Sequence, residues 1–201
     1  MYIRVPNDLG QAPIPLTPDQ LRQAQTARDH ALRVSRQIIK MLDDILLKGH
    51  MPSKGHRLDC ALMTNFNLSQ NDPMFRARVS DIRQKFLDIY IPMSKGNINI
   101  SPNLTADCRE LGAFFDKSNN TIHLCLSFFQ SLTDLGRMAR VIHELLHAYG
   151  RLGVDVENWG TQKSKAGCEV SAKYDSKPEV LVGNADSYEQ FVLNLLEGSK
   201  E

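Results

Sequence analysis

Thr133-Asp134-Leu135-Gly136-Arg137-Met138-Ala139-Arg140-Val141-Ile142-His143-Glu144-Leu145-Leu146-His147-Ala148-Tyr149-Gly150 is the stretch from which the fold is read. Thr133-Asp134 is a helix start, the apolar residues recur at helical spacing, and Gly150 is a stop. Within that helix, His143-Glu144-Leu145-Leu146-His147 forms the pattern HExxH. Positions i and i+4 lie one turn apart on the same face, so both imidazoles can point at one zinc ion. Glu144 sits beside the first histidine, placed to take a proton from a water at the metal as it attacks a carbonyl. It would then pass that proton to the leaving amine. The metal lowers the pKa of the water towards neutrality, and a plain carboxylate therefore suffices as base. Val141, Ile142, Leu145 and Leu146 make most of this helix a core element. A buried helix does not hold two histidines and a carboxylate without partners, because burying unpaired polar groups costs free energy.

Working outward, Thr17-Pro18-Asp19-Gln20 is a strong helix start, with Thr as N-cap, Pro first and Gln third. Helical spacing from Leu21 through Leu46 predicts one long helix, or two in line, as far as Lys48-Gly49. Residues 50–72 read as loop, with an ambiguous apolar run near Leu62. Asn71-Asp72-Pro73 opens a second helix whose buried stripe is Phe75, Val79, Ile82, Phe86, Leu87 and Tyr90. Asn97–Ile100, Leu111–Phe115 and Thr121–Leu126 are β-capable runs, and Asn119-Asn120 suggests a hairpin between the last two. Residues 151–183 carry several glycines and no sustained period, which predicts a long loop walling a cleft. A final helix begins near Asn184. Helices, a small sheet, then helices make an α+β class.

At 42% hydrophobic and 23% charged residues, the 201-residue chain can bury a proper core, which excludes a disordered tail or a rod. No apolar run is long enough for a membrane helix. A net charge of +1 argues against a nucleic-acid binder that relies on basicity. Residues 1–100 hold 14 Lys and Arg against 9 Asp and Glu, and residues 101–201 hold 10 against 14, so the half with HExxH is the acidic one. The N-terminus shows no intact secretory signal, leaving a removed signal, another export route or residence in the cell. Cys60, Cys108, Cys125 and Cys168 are scattered without a CxxC pair, compatible with two disulfides or four reduced thiols but not with a zinc ribbon.

Zinc needs a third protein ligand. Gly153 stands where a metzincin would place its third histidine, and that arrangement fails. Asp155, Glu169 and Asp186 are the candidate carboxylates, the last in the first turn of the final helix, where rigid backbone can fix a monodentate ligand. His30, His50 and His56 have no metal-like spacing, and a lone His123 on a strand reads as structural.

Three pieces in order, Thr121–Phe129, His143–His147 and Asn184-Ala185-Asp186-Ser187-Tyr188, resemble the aspzincin metallopeptidases, meaning the deuterolysins and peptidyl-Lys metalloendopeptidases. The resemblance covers roughly residues 110–196. It implies a zincin-like, predominantly helical fold with a small sheet beside the active helix. The length of the chain fits one domain over residues 1–201, mainly helical to residue 100 and catalytic beyond it. The resemblance also implies zinc held by His143, His147 and Asp186, with Glu144 as general base. The family's Gly-Thr…Asp…Tyr-Gly loop is altered here to Gly153-Val154-Asp155-Val156-Glu157-Asn158-Trp159-Gly160. Asp155 is the candidate catalytic aspartate, orienting a ligand or steadying Glu144, with Glu157 as fallback. Trp159 replaces the tyrosine; its indole N–H can donate to an oxyanion, or the ring can simply anchor the loop. Tyr188 is a possible supporting residue, as is Tyr149, with packing the plainer role for both. The expected activity is a monomeric, secreted or delivered zinc endopeptidase acting on protein or peptide, with basic side chains attracted by Asp155, Glu157, Glu169 and Asp175. A delivered toxin cutting a single target and a zinc-binding module without catalysis are the rival readings.

Overall fold

The computed structural model describes residues 16–104, 112–152, 160–163, 169–172 and 178–196. It is mostly helical with a small mixed sheet, which is the α+β class. Helix α1 runs unbroken over Pro18–Lys48. Its start is a reciprocal cap: Thr17 Oγ1 accepts from the Gln20 N–H at 3.2 Å, and Gln20 Oε1 accepts from the Thr17 N–H at 3.0 Å. The three- and four-residue spacing of Ala24, Ala27, Ala31, Val34, Ile38, Leu42 and Ile45 becomes its buried stripe.

Residues expected as loop contain helix α2, Arg57–Phe66. Leu58, Ala61, Leu62 and Phe66 bury one face, and Nδ1 of His56 caps the start by accepting from the Leu58 N–H at 3.3 Å. Asn67, at φ 51°, turns the chain left-handed at the end. Helix α3, Phe75–Ser94, follows with Phe75, Val79, Ile82, Phe86, Ile89 and Met93 buried. Ile89 takes the position expected of Leu87 and Tyr90, which are half-buried, because a strict three–four alternation continues from Phe86 to Ile89 and Met93.

The chain forms two compact units, residues 1–33 with 88–151 and residues 34–87 with 152–201. The first holds a three-stranded sheet of β1 (Ile100–Pro102), β2 (Ala113–Asp116) and β3 (Thr121–Leu124) in the order β1-β3-β2. β1 runs parallel to β3, with Ile100 opposite Ile122, and β2 runs antiparallel, with Phe114 opposite His123. The expected hairpin at Asn119-Asn120 forms, with Asn120 left-handed at φ 53°. Asp116 ties that turn by accepting from Ser118 N–H at 2.8 Å and Asn119 Nδ2 at 2.7 Å. β3 ends sooner than expected because Cys125 is the N-cap of the short helix α4, Leu126–Gln130. Helix α5, Asp134–Ala148, packs on β2 and β3.

In the second unit, the described parts of the expected long loop hold a hairpin, β4 (Gly160–Lys163) against β5 (Glu169–Ala172), and helix α6 (Pro178–Val182). Helix α7, Ala185–Leu196, packs along α2. Phe66, Phe86, Tyr188 and Phe191 form an aromatic core, with Phe66 and Tyr188 edge to face at 4.9 Å. Asn194 donates to Asn65 across the α2–α7 seam at 3.2 Å. No helix among the described residues is long and apolar enough to cross a membrane.

Candidate metal centre

Helix α5 presents its polar residues from a rigid base. Thr133 caps it, its hydroxyl accepting from the Gly136 N–H at 3.1 Å, and Asp134 complements the positive end of the helix dipole. Met138, Ala139, Val141, Ile142, Leu145 and Leu146 are all buried, fixing the rotation of the helix about its axis. That rotation is what aims the remaining side chains. At the other end Gly150 lies so close to the last turn that a Cβ there would meet the Leu146 carbonyl oxygen at 2.8 Å. The Tyr149 hydroxyl donates to the Asn97 carbonyl at 2.8 Å, fastening the end of α5 to the segment leading into β1. Burial raises the Tyr149 phenol above its usual pKa, opposed by a hydrogen bond with Asn120.

His143 and Glu144 are each 3% exposed and His147 is half-buried. Nε2 of His143 and Nε2 of His147 stand 3.1 Å apart, with the rings at 72° to one another. Nε2 of His143 is 3.9 Å from Oε1 of Glu144, and the ligand atoms of all three residues lie within 4.8 Å of one another. The fit to a metal can be judged from these distances. Two nitrogens each about 2.0–2.1 Å from a tetrahedral zinc stand about 3.3 Å apart, close to the spacing seen here. Two imidazole nitrogens and a carboxylate oxygen on rigid backbone, largely shielded from water, are a donor set that can hold a divalent ion.

The other expected residues are distributed as follows. Asp186 lies in the first turn of α7, in the second unit, and its N–H donates to Asn184 Oδ1 at 3.2 Å. Tyr188 is fully buried, ringed by Phe66 and Phe86, and its hydroxyl donates to the Val182 carbonyl at 3.0 Å. Glu169 begins β5, opposite Lys163. Asp155, Glu157, Trp159 and Asp175 lie outside the described residues. His123 is buried on β3, stacked on Phe114 at 4.8 Å and 3.8 Å from Asp116. Burial lowers its pKa below the usual histidine value, partly offset by the Asp116 charge.

No protein-family model matches the chain, and no curated protein matches it.

One acidic residue escaped the reading of the sequence. Glu189, 8% exposed, lies three residues beyond Asp186 on α7, and the two carboxylates approach within 4.8 Å. Their i, i+3 spacing on a predicted helix was the available signal. Cys60 and Cys125 are both disulfide-bonded, which decides between the two thiol states left open by the sequence. No described cysteine is free.

Proposed function

We propose that this chain is a zinc-dependent endopeptidase of aspzincin type, with a zincin-like fold. The observation that carries the reading is the 3.1 Å approach of the His143 and His147 Nε2 atoms beside the Glu144 carboxylate on one buried helix. His143 and His147 would hold the ion. The third ligand is a carboxylate, which we assign to Asp186, with Asp155 and Glu169 as the alternatives.

Bound zinc supplies Lewis-acid polarisation of the scissile carbonyl and brings the pKa of a water towards neutrality. Glu144 takes the proton from the attacking water and delivers it to the departing amine. Its burial keeps bulk water from competing for that proton, and the packed face of α5 holds its backbone still. The disulfides at Cys60 and Cys125 support a site of action outside the reducing cytosol. A substrate with basic side chains is favoured by the acidic balance of residues 101–201, 10 Lys and Arg against 14 Asp and Glu.

The test uses the full chain loaded with zinc. Glu144→Gln should keep its zinc while cleavage of a denatured protein falls by about 10²–10⁴-fold, the range for a general base. Cleavage at the wild-type rate would overturn the assignment. Asp186→Asn should lose zinc to a chelator sooner than wild type. If it retains zinc and instead raises KM for peptides with basic residues, the third position passes to Asp155 or Glu169 and Asp186 becomes a substrate-binding residue.

A further inference from the structure

We propose that Asn184 is the positioning residue for Asp186, an inference that rests on the role given to Asp186 above. Asn184 is the last residue before α7, so Ala185 is the first helical position and Asp186 the second. Its side-chain Oδ1 accepts from the Asp186 N–H at 3.2 Å, while its backbone carbonyl accepts from the Ser187 N–H at 3.1 Å. Both ends of Asn184 therefore grip the turn that carries the carboxylate.

The corner on the other side is equally held. Gly183 and Asn184 donate their N–H groups to the carbonyls of Val180 and Leu181, closing α6 directly onto α7. The hydroxyl of Tyr188 reaches back from α7 to the Val182 carbonyl at 3.0 Å. Asn184 is 2% exposed and Leu181 1%, and Ala185 is wholly buried, so water does not compete for these bonds. A first-turn residue in such a corner has little backbone freedom, which narrows the directions its carboxylate can take.

A cap that served only helix stability would be expected to satisfy its whole polar group. Here the Asn184 Nδ2 is buried and has no hydrogen-bond partner among the described residues. Leaving such a donor unpaired costs folding free energy. An aspartate would cap at least as well without that orphan donor, but it would bury a second negative charge two residues from Asp186. The neutral amide is the solution that fixes the backbone of Asp186 without disturbing its charge.

The experiment compares Asn184→Ala, Asn184→Ser and Asp186→Asn in the full chain. It records zinc affinity by competition with a chelator, KM and kcat on a lysine-containing peptide, and the melting temperature. Asn184→Ala should move whichever of zinc affinity or KM Asp186→Asn moves, by about 10-fold or more, at temperatures well below melting. Asn184→Ser, which restores a capping oxygen, should recover most of that loss. If Asp186→Asn moves a readout and Asn184→Ala leaves it at the wild-type value, or Ser fails to rescue, the inference is overturned while the site stands. If Asp186→Asn moves neither readout, the role of Asp186 falls and the inference with it.

Discussion

Gly150 shows how narrow the tolerances are at single positions. With the Leu146 carbonyl only 2.8 Å from where a Cβ would be, Gly150→Ala must push back the last turn of α5, the turn that carries His147. We expect a loss of about 1–3 kcal/mol in chemical denaturation. Zinc should also be held less tightly, and wild-type values for both would show that the turn yields freely. His123 gives a second prediction. Its folded-state pKa is lowered, chiefly by burial, so below about pH 6.5 the unfolded chain takes up a proton that the folded chain refuses. Stability should therefore be flat above that value and fall as the pH drops towards the lowered one. His30, also lowered by burial, adds a contribution of the same sign. Comparing denaturation midpoints at pH 7 and 5.5, the drop should shrink in His123→Gln; an equal drop in both proteins would remove His123 from the account. The neighbouring Asp116 acts lower: its pKa is depressed chiefly by the Ser118 hydroxyl, so its contribution is lost only as the pH falls below the usual carboxylate range. The HExxH residues were legible in the sequence because i, i+4 geometry belongs to the helix alone. Glu189 was legible only as an i, i+3 neighbour of Asp186, a spacing that gives the shared face but not the burial of the carboxylate.

The elements that were legible announced their own ends. α1 has the Thr17–Gln20 box, α5 has Thr133, and α7 has Asn184; each cap is a local hydrogen bond written in adjacent residues. Thr133→Ala should cost about 1 kcal/mol, measured by urea unfolding, and no change would mean that the Gly136 N–H finds another acceptor. α2 was not legible because a histidine caps it, a residue outside the usual Ser, Thr, Asp and Asn set. Asn67, in contrast, is well suited to its left-handed conformation. The pairing of β1 with β3 was also hidden: a parallel partner twenty-two residues away leaves no turn signature. Strand ends shifted by a few residues for a related reason, since Cys125 looks β-capable until the helix after it claims it as a cap.

For the molecule as a whole, the cross-links and the ion are expected to add to what the two cores supply. Reducing the disulfides of Cys60 and Cys125 should lower stability by about 2–5 kcal/mol per bond, read as a fall in melting temperature with reductant. Zinc at a hundred times its dissociation constant should raise stability by about 2.7 kcal/mol, and a chelator should abolish the gain. An unchanged melting curve with and without zinc would leave the His143–His147 pair as a plain hydrogen bond. The α+β class was legible from the order of helices and short strands. The division into units was not, because each is assembled from two stretches far apart in the sequence.

That interleaving has a consequence for how the molecule is made. Residues 34–87 leave the ribosome long before residues 152–196, yet α2 has α7 as its neighbour and Phe66 rests on Tyr188 and Phe191. The nascent chain must carry the bare apolar side of α2 through most of synthesis, with the first unit's sheet completed in the meantime. Truncation anywhere before α7 would strand that surface permanently, so shortened forms should be captured by chaperones or precipitate rather than persist as a smaller folded protein.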